Sequence, residues 1–476
     1  MEKRETYLGH WCLTEKKDID KCKSYPGELV IESDSSITLK LMGEPDQLNS
    51  NLYNINEQEF VKVIIGVAKN TSTNKDHSFT LINSIVSGFR KSTLTEIELK
   101  SSYALIDHQV EDFEDFRIGQ IGVHCRFLEE WIGVTGHKRK KKASEDDPFA
   151  EYEYHLVDPI PLYKNEDMEL DLRFSVKAPI LLKKDVVISE SSYLLIRFNT
   201  RQNIDTVFEL VEKINNFFSF VIGEPVPIDS IELMQYSTKS TERIDKGNNY
   251  KFRLIRKLSK RYTAKENIRK EAMLIPYDVL KSKNFNIIGP WIEKYDEYRH
   301  ALNLYFGKIY SKSQYEENAF LDIVFSIEVL HRVIFREHKG KSRTHKDKLK
   351  KILLKLKQND KEWLLKRLSK KNEMTLLNRF EHIEEEFRPV VGKIFKNPIT
   401  TFERIVTTRN FLVHYEIHEE LKHKVIPTNH LYKYSNKLTV LFQAMLMFGL
   451  TGDMGIVIDR IDQSSINKIY IRYKEN

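Results

Sequence analysis

The hydrophobic period of the chain changes near residue 263, and this change limits the accessible folds more than any other feature. Before that point, apolar and polar residues alternate over short stretches such as 168–176, bounded by turn-forming residues. After it, apolar residues recur every three to four positions over long stretches such as 318–335. We therefore predict an α+β protein. Residues 1–262 form a β-rich region with a sub-boundary near 138–165, and residues 263–476 form an α-helical domain.

Within the β-rich region, one helix is predicted at Ile204–Ile222, where Gly223-Glu224-Pro225 ends the apolar stripe. The second region is predicted to contain a series of helices. Apolar residues at helical spacing mark residues 291–309, 318–335, 349–368, 372–387 and 429–450. The tail, residues 452–473, has strand-like ends.

A further helix is predicted after Asn397-Pro398, with a capping box in which Thr400 caps the first turn and Glu403 reaches back to it. Helical spacing places Leu412 and Val413 on its apolar face, together with residues nearer its start.

Three polar residues interrupt this face within two turns. Arg409 falls inside the apolar stripe, and Asn410 and His414 lie four positions apart on its flank. A guanidinium keeps its proton and is costly to bury without a partner. Such breaks in a local pattern are expected at functional sites.

Spacing alone does not establish catalysis. Composition predicts roughly one arginine followed five positions later by a histidine in a chain of this kind. The structural alternative is a helix with an arginine that extends its charge to solvent and a histidine on the surface.

Two side chains on the 318–335 stripe are candidates to face this helix. Glu328 lies on the edge of the stripe, and we nominate it as a supporting residue that pairs with Arg409, because a buried arginine needs a carboxylate or carbonyls nearby. His331 lies near the centre of the stripe, and its expected role is that of a core histidine with satisfied hydrogen bonds.

The three residues suit phosphodiester chemistry on RNA, which carries its own nucleophile in the 2′-hydroxyl. A histidine can transfer protons near neutral pH, and an arginine fork suits the charge that develops on phosphate oxygens. Asn410 can orient the phosphate or His414. No His-x-x-x-His pair or carboxylate cluster accompanies the motif, so we predict neither a metal site nor a cofactor.

Arg409-Asn410-x-x-x-His414, in a C-terminal helical region, resembles the motif of HEPN ribonucleases. The start of the chain resembles the amino-terminal domain of ApeA-type anti-phage HEPN proteins. The matching segments are Gly9-His10-Trp11-Cys12-Leu13, Gly27-Glu28-Leu29-Val30-Ile31 and Leu39-Lys40-Leu41-Met42-Gly43. The resemblance implies an endoribonuclease that arrests growth on infection (abortive infection), with tRNA among its candidate substrates. It also implies pairing of two HEPN bundles, so at least a homodimer, catalysis without a divalent metal, and a phage-derived trigger.

Basic charge is concentrated in two places. Residues 339–371 contain fourteen Lys and Arg against three Asp and Glu, and residues 138–142 form a smaller cluster. A basic stripe is the electrostatic footprint of a polyanion-binding surface, and it is equally typical of a solvated helix face. Residues 138–148 also lack periodicity, which predicts a flexible loop.

Three cysteines without metal-binding spacing, no apolar run at the start and a longest apolar stretch of only residues 438–450 predict a soluble cytoplasmic protein without a membrane partner. Two other functions remain open. The helical domain can be a non-catalytic module that binds nucleic acid or a nucleotide, or a scaffold whose aromatic residues mediate oligomerisation.

Overall fold

The computed structural model describes most of the chain. The described residues are 4–14, 22–45, 60–91, 95–110, 116–141, 151–177, 186–235, 250–256, 267–282, 286–311, 314–336, 352–354, 356–358, 360–362, 374–415 and 419–472. The chain divides into two compact units. Unit 1 comprises residues 1–219 and 226–267, and unit 2 comprises residues 220–225 and 268–476.

Unit 1 is built on antiparallel strands. Its strands are β1 (Glu5–Thr14), β2 (Ser24–Ile31), β3 (Ile37–Met42), β4 (Phe60–Asn70), β5 (Asp76–Lys91), β6 (Thr95–Ile106), β7 (Ile118–Cys125), β8 (His137–Lys141), β9 (Glu151–Tyr154), β10 (Ile160–Lys164), β11 (Met168–Lys177), β12 (Ser189–Gln202), β13 (Ile228–Gln235) and β14 (Tyr250–Arg256). The α+β class predicted from the sequence is confirmed, with these strands preceding a helical region.

The first six strands close into a barrel. They pair in the order β6-β3-β2-β1-β4-β5, and β5 pairs back with β6 to complete the ring. The alternation seen in the sequence becomes an inward face, because Ile37, Leu39 and Leu41 of β3 are buried while their neighbours are not. Closure leaves this part of the sheet without a free edge.

Trp11 fills the barrel core. Its indole is fully buried and its Nε1–H donates to the Gly27 carbonyl at 3.2 Å. A Cβ at Gly66 would lie 2.2 Å from the Trp11 ring, so the absence of a side chain at Gly66 is what makes room for the indole. The barrel interior is therefore a packed core.

The other strands of the large sheet continue from β6 in the order β14-β13-β7-β12-β11-β10. Helix α1 (Leu128–Ile132) follows β7, and helix α2 (Ile204–Ile222) has the bounds predicted from the sequence. In unit 1, α2 packs on β6 through Phe208, which stacks on Tyr103 with ring centroids 5.1 Å apart.

Part of the predicted loop at residues 138–148 is a strand instead. Strand β8 pairs with β9 in a separate two-stranded sheet, and Lys140 forms ion pairs with Glu151 and Glu153 of β9. Pairing with the acidic strand β9 thus holds residues 137–141 as a strand. Residues 142–150 lie outside the described residues.

Cys12 and Cys22 form a disulfide, which the sequence analysis did not predict. The β1–β2 register places Cys12 opposite Ser24, two residues after Cys22, so the hairpin brings the two cysteines together. Cys125 is a free thiol, and burial raises its pKa.

Unit 2 is helical. Its helices are α3 (Tyr277–Ser282), α4 (Ile288–Tyr310), α5 (Glu316–Ile334), α6 (Leu376–Glu386), α7 (Arg388–Ile394), α8 (Pro398–His414), α9 (Thr428–Thr451), α10 (Met454–Gln463) and α11 (Ser465–Ile471), with 3-10 turns at Lys270–Ala272 and Glu419–Lys424. Helix α9 is buried along most of its length and packs against α4, α5, α7, α10 and α11. The predicted helix at 349–368 and the basic stripe at 339–371 lie mostly outside the described residues.

The strand-like tail predicted at residues 452–473 is wrong, because its described residues form α10 and α11. The Asp453 carboxylate accepts hydrogen bonds from the backbone N–H groups of Gly455 and Ile456, and Ser464 caps α11 through the N–H of Asn467. Two side-chain caps in succession favour helices over strands here. None of the helices in the described part of the chain combines the length and the apolarity that crossing a membrane requires.

Candidate active site

Helix α8 carries the predicted motif, and it begins at Pro398, before the Thr400 cap that its sequence indicated. Pro398 occupies its first turn, where the missing N–H costs nothing, and Asn397 precedes it without a side-chain cap. The predicted capping box of Thr400 and Glu403 is therefore wrong. The Glu403 carboxylate instead accepts from Lys424 at 2.8 Å.

The first half of α8 is held firmly in the bundle. Phe402 is buried and its ring lies 4.8 Å from that of Phe380 on α6. Arg404 donates to the Tyr434 hydroxyl of α9 at 3.1 Å. These contacts fix the helix axis upstream of the motif.

Thr408 marks the end of the buried face. It is fully buried, its hydroxyl donates to the Arg404 carbonyl at 2.7 Å, and it accepts from the Ile426 N–H at 2.9 Å. The chain that follows the helix is thus tied back to α8 at this position.

Beyond Thr408 the helix emerges from the bundle. Asn410 and His414 are exposed, and Val413 is 43% exposed rather than buried as its helical position predicted. Tyr415 ends the helix in the left-handed conformation, with its side chain 82% exposed. The end of α8 beyond Arg409 therefore presents its polar residues to solvent.

Arg409 sits where the buried half of α8 meets the exposed half. Its side chain is half-buried, and its Cζ lies 5.0 Å from the centroid of the Phe325 ring on α5. One Nη donates to the Asn410 amide oxygen at 3.0 Å. Its Nε is buried and has no acceptor in the described part of the chain.

The predicted ion pair between Glu328 and Arg409 is wrong. The Glu328 carboxylate accepts from Arg332, one turn later on α5, at 2.8 Å. A partner four residues away on the same helix is favoured because the helix already holds the two side chains together. Phe325, one turn before Glu328, faces the guanidinium instead.

His331 is a core histidine, as expected. It is buried, and its Nδ1 lies 3.1 Å from an Nη of Arg379 on α6. A guanidinium only donates, so Nδ1 accepts and the ring proton resides on Nε2, which donates to His382 Nδ1 at 3.1 Å. Both ring nitrogens of His331 are thus engaged in holding α5 and α6 together.

The structure brings Arg409, Asn410 and His414 together on the last two turns of one helix. The site offers a fixed positive charge that no described carboxylate neutralises, an amide and a solvent-accessible imidazole. This set can bind a phosphate and transfer a proton. Among the described residues, no three His, Cys, Asp or Glu side chains converge as a metal site would need.

Sequence reasoning missed Phe325, which was assigned no role. Its helical position one turn before Glu328 was the available signal. The preference of the guanidinium for the ring depends on side-chain packing between α5 and α8, which local spacing does not determine.

Two family profiles match the chain. ApeA N-terminal domain 1 matches residues 6–291, which is more than half of the chain. Apea-like HEPN matches residues 321–454, which include Phe325, Arg409 and His414. Searches of curated proteins and of solved structures returned no match.

Proposed function

This chain belongs to the ApeA-like HEPN family, and on that premise we propose that it is a metal-independent endoribonuclease of anti-phage defence. The observation that carries the proposal is the position of Arg409 and His414. His414 lies on the exposed end of α8 and the half-buried Arg409 lies where that end begins, both inside the HEPN match, and the first half of the helix is held by the bundle.

In the proposed reaction a base removes the proton of the RNA 2′-hydroxyl, and the oxygen attacks the adjacent phosphorus. The bond to the 5′-oxygen breaks, and an acid protonates that leaving oxygen. His414 acts as the acid or the base. Arg409 stabilises the charge on the non-bridging oxygens, and Asn410 orients the phosphate or the imidazole. The nucleophile belongs to the RNA and the residues supply charge and proton transfer, so this scheme requires no metal.

One histidine per chain is too few for two proton transfers. We propose that two HEPN domains pair as a homodimer, so that the second His414 supplies the missing group. The exposed apolar side chains of Val413 and Tyr415 beside the motif support a pairing surface at this end of α8.

The proposed substrate is RNA, with tRNA as one candidate. The fourteen Lys and Arg at residues 339–371 supply positive charge in the chain that follows α5. In this proposal the β-rich region senses a phage-derived trigger, and the cytoplasmic enzyme then arrests growth of the infected cell.

A second candidate is a non-catalytic HEPN module that binds nucleic acid or a nucleotide. It is favoured by the contact between Arg409 and Phe325, because a guanidinium stacked on a core-edge ring also stabilises the bundle. In this reading Arg409 holds the helices together and His414 has no role.

A cleavage assay separates the two candidates. If the protein is a ribonuclease, Arg409→Ala and His414→Ala should each lose RNA cleavage while binding of uncut RNA persists. If wild type binds RNA with strong salt dependence and never cuts it, the binding module is correct. If it does neither, both candidates fail and a scaffold role is left.

Subunit mixing tests the shared site. Wild type and His414→Ala chains are mixed at a fixed total concentration after exchange has been confirmed. If each site needs two intact histidines, the rate falls roughly as the square of the wild-type fraction. A linear fall would show that each chain works alone.

A further inference from the structure

The positive charge of the motif is held in an unusual way for a half-buried arginine. Arg409 lies over the face of Phe325, and no described carboxylate pairs with it. A buried guanidinium is normally matched with a carboxylate. The side chains of α5 explain why Arg409 contacts a ring instead of a carboxylate.

An aromatic face and a carboxylate act differently on an arginine that binds a phosphate. The ring quadrupole attracts the guanidinium and fixes its plane, but it carries no net charge. A carboxylate would occupy the N–H fork and cancel the charge, so it would compete with the substrate phosphate for the same donors. Phe325 thus orients Arg409 and leaves its charge available.

Such a competitor lies one turn away. Residues three apart on a helix are neighbours on its surface, so Glu328 lies next to Phe325, the residue on α5 that contacts the guanidinium. The carboxylate is instead held by Arg332 at 2.8 Å, and Glu328 is largely shielded while Arg332 is exposed. The helix therefore carries both the ring that orients Arg409 and an arginine that retains the nearby carboxylate.

We propose that Phe325 and the Glu328–Arg332 pair form a positioning device that keeps the Arg409 fork oriented and free for the scissile phosphate. Phe325 sets the plane of the guanidinium. Arg332 keeps Glu328 from capturing it. This inference rests on the proposed ribonuclease function, because the device serves the phosphate contact of that reaction.

The first test replaces the ring. Phe325→Leu keeps an apolar side chain without a π face, and we expect kcat/KM for RNA cleavage to fall about three- to thirtyfold. The loss should appear mainly in kcat, because the phosphate contact strengthens in the transition state. Phe325→Tyr keeps the ring and should restore most of the rate. Equal losses in both variants would overturn the role of the ring.

The second test is a double-mutant cycle. Arg332→Ala releases the carboxylate, so the cleavage rate should fall in the wild-type background. In the Glu328→Gln background there is no carboxylate to release, so Arg332→Ala should have no further effect. If Arg332→Ala causes the same loss in both backgrounds, Arg332 acts by itself, for example on RNA, and the retention role is wrong.

Arg388→Ala is the matched control. Arg388 pairs with Glu384 at the same four-residue spacing, and no described contact joins either side chain to Arg409, Asn410 or His414, so its loss should leave cleavage unchanged. Melting temperatures of all variants are measured alongside, so that a loss of rate is not confused with unfolding. If His414→Ala cuts RNA as well as wild type, the proposed function itself fails. If His414→Ala is inactive but Phe325→Leu and Arg332→Ala match wild type, only the positioning device is rejected.

Discussion

Trp11 in the barrel and His414 on α8 lie at opposite extremes of packing. The indole of Trp11 is fully buried, and its space exists because Gly66 lacks a side chain. The imidazole of His414 is exposed, and no described side chain bonds it. Substitution of a residue that is fixed by packing should lower the stability of the protein. Substitution of an exposed residue that packing does not require should lower activity alone. This difference separates the scaffold from the proposed site.

The largest effect is expected at the exposed extreme. His414→Ala should lower RNA cleavage by about 10²- to 10⁴-fold, because it removes a proton-transfer group, with no change in melting temperature. His300→Ala, at another exposed histidine of unit 2, should cleave at the wild-type rate. Parallel losses of melting temperature and cleavage in His414→Ala would show that this histidine belongs with the scaffold.

Arg409→Lys should come next, with roughly a hundredfold loss of cleavage. Lysine keeps the charge and loses the planar fork that fits two phosphate oxygens and contacts the Phe325 ring. The check is single-turnover cleavage together with RNA-binding affinity, which should change much less than the rate. Near-normal cleavage would exclude a phosphate-clamp role for Arg409.

The buried extreme is tested at Gly66. Gly66→Ala places a Cβ 2.2 Å from the Trp11 ring, so the free energy of unfolding of the barrel should fall by about 1–3 kcal/mol. Denaturant unfolding followed by tryptophan fluorescence measures it. A neutral result would mean that the indole has room to move and that the barrel core is less constrained than its burial implies.

Gly307 supplies the matched glycine with the smallest expected effect. It lies in α4, and a Cβ there would meet nothing within 4 Å. Gly307→Ala should therefore raise the free energy of unfolding of the helical unit by about 0.5–1 kcal/mol, through helix propensity alone. Destabilisation would show an unrecognised contact on that face of α4.

The contrast between buried and exposed residues also explains how much of the fold could be predicted from the sequence. Alternation and helical spacing predicted the strand-rich and helical regions and the bounds of α2, because burial of one face dictates both patterns. The predictions that failed depended on single side chains. Asp453 and Ser464 cap two helices whose apolar patterns are too short to reveal them. Helix α8 begins at Pro398, before the residues that were predicted to cap it.

At the candidate site, the motif could be predicted and its surroundings could not. Arg409, Asn410 and His414 stand out because they break an apolar pattern. The partner of Arg409 depends on which of Phe325 and Glu328 meets it, and that choice is made by the competing bond from Arg332. The outcome of such competition between a partner on the same helix and one on a neighbouring helix is visible only in the three-dimensional structure.

The central claim is that Arg409 and His414 cleave RNA through its own 2′-hydroxyl. The most direct measurement maps the product ends of purified wild-type protein on an RNA oligonucleotide in EDTA, beside the same oligonucleotide with a single 2′-deoxy residue at the cut. We predict 2′,3′-cyclic phosphate or 3′-phosphate ends from the first and no cleavage at that position in the second. A strict requirement for magnesium, or equal cleavage of the 2′-deoxy substrate, would contradict the mechanism.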